Sequence, residues 1–271
     1  MTVSIIGFGW LGLALAERLA SAGFKVIGSV TSTEKLDALA GKAFRTYQLS
    51  LKPEPSGDLT ALLQANTLLI NVPPKAGKLG DDFHPAQVEH LITAIQQSPV
   101  QHIIYASSTS VYPELNRVVT EEDIVDGQQS PAPGLIRAEQ LVQQLAPERL
   151  TTVVRFGGLM GYDRIPAKYV AGRTVDTGAV PVNYVHRDDA VAILQALIQN
   201  PTEGVFNAVA PEHPNREAVY RKSCLDFGYT LPTFVKSNES ASFKIISSEK
   251  LRQTTQYIFK YPDPLQFFYS Q

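Results

Sequence analysis

A short glycine-rich stretch near the start of the chain has the residue types and spacing that bind phosphate. Gly7, Gly9 and Gly12 are spaced as G-x-G-x-x-G, with Trp10 and Leu11 between the last two. The first glycine permits a tight turn, the second lets a ligand approach the backbone, and the third lets a helix pack on a strand. The N–H groups that begin this helix would then face the phosphates. The pattern predicts a pyrophosphate site for NAD or NADP; the alternative is that these glycines only pack.

Residues about 20 positions after the glycines select between the two cofactors, because an Asp or Glu there would hold the ribose hydroxyls of NAD. The stretch from Ser29 to Ser32 contains no acidic residue. Thr31, Ser32 and Lys35 could instead bind the 2′-phosphate of NADP, although no arginine accompanies them. Ser32 could also simply cap a helix. On balance this stretch favours NADP over NAD.

The glycine motif requires a strand before it and a helix after it, and the sequence supplies both. Thr2–Ile6 is an apolar run typical of a buried strand, and Leu11–Ser21 has apolar residues at helical spacing. Strands are predicted again at Lys25–Ser29 and, further along the alternation, at Thr151–Phe156. Strands that alternate with helices predict an α/β fold with a doubly wound parallel sheet, the Rossmann fold.

The alternation weakens after about residue 160, where loops, short strands and aromatic residues become frequent. We predict an NAD(P)-binding Rossmann domain over residues 1–165, to which residues 185–210 return. Residues 166–271 would form mainly a small C-terminal substrate-binding lobe. Such a lobe should cover the carboxyl ends of the strands, where open α/β sheets bind ligands.

Composition excludes several classes of function. The 271 residues are 44% hydrophobic and 18% charged, with a net charge of -2, so no basic surface for nucleic acid or anionic membrane is expected. No apolar stretch is long enough for a transmembrane helix. The single cysteine, Cys224, fits a reducing compartment. We therefore expect a soluble, cytoplasmic protein with a small-molecule substrate and no metal site, and leave a homodimer open.

Four further stretches follow predicted strands or begin a predicted helix. They are Asn71–Pro74, Tyr105–Tyr112, Arg155–Gly161 and Asn183–Ala190. In this order and spacing they resemble the extended short-chain dehydrogenase/reductases, the group of NAD(P)-dependent epimerases and dehydratases. The resemblance covers nearly the whole chain. The glycine motif is G-x-G-x-x-G where the family usually has G-x-x-G-x-x-G, which indicates its atypical branch.

The resemblance implies further contacts to the cofactor. Pro73 and Pro74 would line its adenosine half, and Phe156 and Gly158 would lie against the nicotinamide.

The resemblance also implies catalytic and substrate residues. Ser108 falls on the family's catalytic serine or threonine, although the serines here could merely cap a turn. Arg164, Asn183 and His186 would border the substrate cleft. His186 could instead form a hydrogen bond at the start of a helix.

The chain departs from the family at the proton donor. Members transfer a proton through a tyrosine whose pKa is lowered by a lysine one helical turn later, and this pair should fall within Ser130–Glu139. No tyrosine or lysine occurs between Pro113 and Gly161. Arg137 is too basic to exchange protons near neutral pH. Tyr112 is the nearest candidate hydroxyl, with packing after the strand as the alternative.

Two classes of function remain. The chain is either an NAD(P)-dependent oxidoreductase, epimerase or dehydratase acting on a small polar substrate, with a sugar nucleotide as one option, or a non-catalytic NAD(P)-binding redox sensor or regulatory protein. The cleft motifs favour the enzyme, and the missing tyrosine and lysine favour the sensor. A hydroxyacid or phosphogluconate dehydrogenase would share the glycine motif, but it predicts a large all-helical C-terminal domain.

Overall fold

The computed structural model of the protein describes residues 1–74, 76–123, 126–235 and 241–270. Its strands are β1 Thr2–Ile6, β2 Lys25–Val30, β3 Arg45–Leu51, β4 Pro55–Gly57, β5 Thr67–Ile70, β6 His102–Ser108, β7 Val118–Val119, β8 Leu150–Phe156, β9 Gly158–Met160, β10 Thr174–Val175, β11 Tyr184–His186, β12 Gly204–Ala208, β13 Thr233–Phe234 and β14 Ile245–Ile246. Its α-helices are α1 Trp10–Ser21, α2 Thr33–Ala38, α3 Leu59–Leu62, α4 Ala76–Leu79, α5 Phe83–Gln96, α6 Pro133–Gln143, α7 Ala167–Val170, α8 Arg187–Gln199, α9 Arg216–Phe227 and α10 Glu249–Thr255. Among the described residues, none of the helices combines the length and the apolar character needed to cross a membrane.

Eight strands form one large sheet in the order β12-β8-β6-β5-β1-β2-β3-β4. The central strands are parallel: Ile6 of β1 pairs with Ile70 of β5, which pairs with Tyr105 of β6. Strand β4, which follows β3 closely, is antiparallel to it. The predicted α/β fold with a doubly wound parallel sheet is therefore confirmed. The strand order reverses beside β1, and open α/β sheets bind ligands outside the carboxyl ends at such a reversal.

The core explains why these elements form. Val3, Ile5 and Ile6 of β1 are buried, as expected for a central strand of a parallel sheet that is covered on both faces. In α1, Leu15 and Leu19 are 0% exposed, which gives this helix an apolar stripe toward the interior. Together these residues fix where β1 ends and α1 begins, and so fix the turn between them.

The contacts divide the chain into two units. The first unit contains Met1–Val111, Ile124–Arg155 and Leu194–Phe206. The second contains Tyr112–Asp123, Phe156–Ile193 and Asn207–Gln271. The second unit has three two-stranded sheets, β7 with β14, β9 with β11 and β10 with β13. Its assignment to substrate binding stays a prediction.

Candidate functional site

The glycine turn connects β1 to α1, and two of its three glycines are required by the fold itself. Gly7 has a φ of +112°, and a Cβ there would lie 2.4 Å from the carbonyl oxygen of Asn71. A Cβ on Gly12 would lie 2.2 Å from the carbonyl oxygen of Gly7. A side chain on Gly12 would push α1 away from the end of β1, and a side chain on Gly7 would collide with the backbone that follows β5. These two glycines therefore have a packing role whether or not a ligand binds.

Gly9 is different, because nothing in the chain requires a glycine there. Its φ of -87° and ψ of -160° suit any residue, and no atom lies within 4 Å of the position of a Cβ. The open space lies at the N-cap of α1, where the first turn carries no acidic residue. The amides of Trp10, Leu11 and Gly12 precede the first intrahelical hydrogen bond, from Leu13 N to Gly9 O. Open space beside a helix N-terminus is what a pyrophosphate requires.

The turn is held by contacts that the sequence analysis did not assign. The amide of Gly7 donates to Ser29 Oγ at 3.1 Å, and Phe8 N donates to Ser29 O at 2.7 Å. Asn71 Nδ2 donates to Gly7 O at 3.0 Å. The ring of Phe8 covers Gly28, where a Cβ would lie 2.2 Å from the ring. The turn is therefore fixed from β2 and from the end of β5 before any ligand arrives.

The residues predicted to select the cofactor lie just after β2. Thr31 and Lys35 are exposed, and Ser32 is the N-cap of α2, without a capping hydrogen bond from its side chain. Glu34, two residues after Ser32, lies in the first turn of the same helix. Its own backbone amide and then the Ser32 hydroxyl hold the pKa of Glu34 below its usual value. Both a cationic and an anionic side chain are therefore available at this end of β2.

Two predicted contacts to the adenosine half follow β5. Pro73 is exposed and Pro74 is partly buried, directly after Asn71. Because β5 is parallel to β1 and adjacent to it, these prolines leave the sheet at the same edge as the glycine turn. Their position fits the predicted role.

Ser108 ends β6 at this edge of the sheet. Its Oγ accepts a hydrogen bond from Ser110 N at 3.1 Å, and the residue is partly exposed. The preceding Ser107 points elsewhere, since its Oγ donates to the buried carboxylate of Glu139 at 2.5 Å. Glu139 is also bound by Arg155, whose Nη2 lies 2.6 Å away. Of the two serines, only Ser108 retains a partly exposed position.

The segment in which the family places its tyrosine and lysine has other contacts here. It forms the start of α6, where a Cβ on Gly134 would lie 2.3 Å from Asp81 O. Arg137 Nη2 donates to Asp81 O at 3.1 Å and to Asp82 Oδ1 at 2.6 Å. Arg137 thus ties α6 to the segment that precedes α5. Arg137, the cation in this segment, is therefore paired with Asp82.

Tyr112 lies in the buried framework of the second unit. It is 0% exposed, and its hydroxyl donates to Asn207 Oδ1 at 2.8 Å. Asn207 Nδ2 in turn donates to Ser247 O at 3.1 Å. This geometry favours the packing role of Tyr112 over the proposed proton transfer.

Three further predicted residues of the second unit lie between the end of β8 and the turn after β9. Phe156 ends β8 and is 3% exposed, whereas Gly158 begins β9 beneath the ring of Tyr184, 2.7 Å from where a Cβ would lie. Arg164 closes a tight turn in which its amide donates to Gly161 O at 3.1 Å. Their predicted contacts to nicotinamide and substrate stay predictions.

His186 is 0% exposed, and both of its ring nitrogens have partners. Nδ1 accepts from Asp188 N at 3.1 Å, so the proton must reside on Nε2, which donates to Phe268 O at 2.9 Å. Burial lowers the pKa of His186, which favours this neutral tautomer. His186 ends β11 directly before α8, and these hydrogen bonds match the alternative that the sequence left open.

Asn183 lines a cavity of about 190 Å³ in the second unit. Its side-chain amide is hydrogen-bonded to the backbone that precedes and begins β14: Nδ2 donates to Lys244 O at 2.9 Å, and Oδ1 accepts from Ile246 N at 2.8 Å. Among the described residues, the lining includes neither Arg164 nor His186.

Within the described ranges, no group of three or more His, Cys, Asp and Glu side chains is placed to hold a metal ion.

The sequence of the whole chain has a curated relative. Protein YeeZ of Escherichia coli strain K12 is 33% identical over 267 residues, which are 97% of this chain and 97% of YeeZ. The chain belongs to the YeeZ family. The alignment of this YeeZ family member with its relative spans both structural units, so the second unit is a shared part of the family.

The chain is also similar to solved structures and to a family model. MoeE5 in complex with UDP-glucose and NAD has a TM-score of 0.79 at 16% identity, covering 98% of this chain and 97% of that one. A conserved protein from Silicibacter pomeroyi DSS has a TM-score of 0.73 at 21% identity, covering 97% and 95%. Residues 2–79 match the family model described as NADP oxidoreductase, coenzyme F420-dependent. The predicted fold of the extended short-chain dehydrogenase/reductases is confirmed. The short strands of the second unit differ from the all-helical domain that a hydroxyacid dehydrogenase would require.

Proposed function

We propose that the protein is an NAD(P)-dependent oxidoreductase, epimerase or dehydratase that acts on a small polar substrate. The observation that carries this proposal is the open space beside Gly9, at the N-terminus of α1 and at the reversal of strand order. Hydrogen bonds from Ser29 and Asn71 hold the turn, so little ordering entropy should oppose binding. MoeE5, whose fold is similar, is described in complex with UDP-glucose and NAD.

Each part of the site has a distinct task in this proposal. The cofactor would supply or accept a hydride. The glycine turn would hold the pyrophosphate through the amides at the start of α1, and Pro73 and Pro74 would flank the adenosine half. Phe156 and Gly158 would contact the nicotinamide. A sugar nucleotide as substrate, a homodimer, a cytoplasmic location and the lack of nucleic-acid or membrane partners stay predictions.

Proton transfer is assigned to Ser108. Ser108→Ala is expected to lower kcat about tenfold or more, because general acid–base help is typically worth about 10²–10⁴-fold. Cofactor affinity should hardly change, since this hydroxyl is not part of the phosphate-binding turn. Steady-state kinetics on a substrate identified by screening, together with calorimetry of NAD(P) binding, would measure both effects.

Two matched variants control this experiment. Ser110→Ala removes a neighbouring hydroxyl but keeps the amide that donates to Ser108, so its kcat should stay near that of the wild type. Tyr112→Phe should instead lower stability by about 1–3 kcal/mol, because Asn207 loses a buried donor. A tenfold loss of kcat in Tyr112→Phe without loss of stability would return Tyr112 to the catalytic role, and full activity of Ser108→Ala would remove Ser108 from it.

We further propose a preference for NADP, supported by the exposed Lys35 after β2. Lys35→Ala should cost about 1–3 kcal/mol of NADP affinity and little NAD affinity, because only NADP offers a 2′-phosphate. Lys42→Ala, which removes an exposed cation paired with Glu17 at 3.2 Å, is the matched control. Dissociation constants of both cofactors provide the measurement, and a wild-type protein that binds NAD tenfold more tightly than NADP would refute the preference.

A non-catalytic redox sensor is the second candidate function. Its support is the start of α6, where Arg137 is bound to Asp82 and no tyrosine is present. Trp10, the only tryptophan of the chain, begins α1 beside Gly9 and should report binding. NAD(P)H absorbs where tryptophan emits, so its binding should quench Trp10 fluorescence. Tight binding by this readout without turnover on any substrate in a broad screen would favour the sensor over the enzyme.

A further inference from the structure

The cavity in the second unit has a defined size and a mixed lining. Its volume is about 190 Å³. Apolar contacts come from Val180, Pro181 and Val182, which precede β11, and polar groups come from β11, α9 and the segment before β14. Pockets that enclose drug-sized ligands are usually about 300–1,000 Å³. This cavity suits a smaller group.

Arg216 is the cation in this lining for which the described residues supply no anionic partner. It is partly buried at the first position of α9, and Nη1 donates to Thr177 Oγ1 at 2.9 Å. No carboxylate of the described residues forms an ion pair with it, because the adjacent Glu217 pairs with Arg221 at 2.7 Å. A partly buried guanidinium is normally compensated by an anion. Its remaining donors suit a planar, two-oxygen acceptor.

The second cation in the lining is already neutralised within the chain. Lys244 Nζ lies 3.1 Å from Glu114 Oε1 and donates to Tyr112 O at 2.6 Å. Asn183 holds the backbone of Lys244 in place through its amide. Among the described residues of the lining, Arg216, Lys244 and Glu114 are the charged groups, and their net charge is +1. One negative charge would balance it.

Two phenols complete the polar part of the lining. Tyr184 shares a hydrogen bond with Tyr220, and burial raises the pKa of Tyr184 above its usual value, so its hydroxyl stays protonated. Neutral phenols beside a guanidinium supply directed hydrogen bonds without adding charge.

We propose that this cavity binds the carboxylate of a small molecule through Arg216, with Tyr184 and Tyr220 beside it. The balance of charge favours one carboxylate over a phosphate dianion, and the volume favours a short carbon skeleton over a nucleoside diphosphate. The inference deepens the proposed function and rests on it for one point only, namely that the bound carboxylate is the substrate of the NAD(P)-dependent reaction.

The test is calorimetry on the full-length protein with pairs of charged and neutral probes. The pairs are lactate with lactamide, malonate with malonamide, and galacturonate with galactose, and inorganic phosphate and UDP are titrated separately. We expect at least one carboxylate to bind about 10- to 100-fold more tightly than its neutral partner. If no carboxylate binds better than its neutral partner, or if phosphate or UDP binds more tightly than every carboxylate, the proposal is overturned.

Variants then assign the effect to the cavity. Arg216→Gln should weaken carboxylate binding about tenfold or more, whereas Arg221→Gln, an exposed arginine of the same helix, should leave it unchanged. Glu114→Gln should tighten carboxylate binding and admit phosphate, because Lys244 then contributes an uncompensated charge. Equal loss in both arginine variants would place the carboxylate outside the cavity. If Arg216→Gln does not fold, Glu114→Gln still assigns the effect, because unchanged carboxylate binding in that variant would place the carboxylate outside the cavity.

Cofactor binding is measured separately through Trp10 fluorescence. Carboxylate binding without NAD(P) binding would contradict the proposed function and leave the cavity assignment standing. NAD(P) binding without carboxylate binding would contradict the cavity assignment and leave the proposed function standing.

Discussion

Replacing Gly9 by valine is expected to lower NAD(P) affinity at least about 100-fold while the protein stays folded. The valine side chain would fill a space in which no described atom outside residues 8–10 lies within 4 Å, and Gly9 already has an extended backbone with a negative φ. Loss of a preferred N-cap residue costs at most about 1 kcal/mol of stability. Calorimetry with NAD(P) and a thermal unfolding curve on the same sample would measure both quantities.

Gly12→Ala is the matched comparison within the same turn. Its Cβ would lie 2.2 Å from Gly7 O, so the strand and the helix must separate and stability as well as binding should fall. The contrast between the two variants separates a glycine needed by the ligand from a glycine needed by the fold. Wild-type affinity in Gly9→Val would mean that the phosphates do not lie against this turn.

The part of the site that could be predicted from the sequence is the part made by neighbouring residues. The glycine turn lies between an apolar strand and an amphipathic helix, and all of its signals fall within Thr2–Ser21. The residues that hold the turn in place lie outside this range. Ser29 contacts Gly7 from 22 positions away and Asn71 from 64, and a hydrogen bond between such distant residues leaves no local pattern.

Elements were predicted well where burial imposed a pattern and poorly where it did not. The central strand β1 was predicted with its observed bounds, because all but its first residue are buried. Strand β3 was missed, since only Leu49 of its seven residues is buried and polar residues interrupt the run. Helix α5 begins at Phe83, and a histidine and a proline in its first turn weaken the sequence signal for that start.

The side-chain roles implied by the resemblance depend on contacts that the sequence does not reveal. A tyrosine after β6 is compatible with catalysis and with packing, and only the partner of its hydroxyl distinguishes the two. For Tyr112 that partner is Asn207, 95 positions along the chain. His186 is similar, since Phe268, 82 positions away, accepts its Nε2 proton. These long-range contacts favour packing for Tyr112 and a structural hydrogen bond for His186, and their catalytic and substrate roles stay predictions.

The buried pair of Glu139 and Arg155 links α6 to β8 inside the first unit. Their side chains are 2% and 4% exposed, and Arg155 Nε lies 3.0 Å from Glu139 Oε1 while Nη2 lies 2.6 Å from Oε2. Ser107 donates to the same carboxylate, so the pair also fixes the end of β6 from which Ser108 leaves. Two charges removed from water in this way depend on each other for compensation.

Glu139→Gln is therefore expected to lower the free energy of unfolding by about 3–5 kcal/mol, because Arg155 keeps its buried charge without the carboxylate. Glu249→Gln, which breaks an exposed pair with Arg252 at 2.9 Å, should cost at most about 1 kcal/mol. Combining Glu139→Leu with Arg155→Met should recover much of the loss, since neither charge then stays buried. Urea denaturation of the four proteins would measure these differences. A loss in Glu139→Gln no larger than that in Glu249→Gln would show that the pair does not support the end of β6.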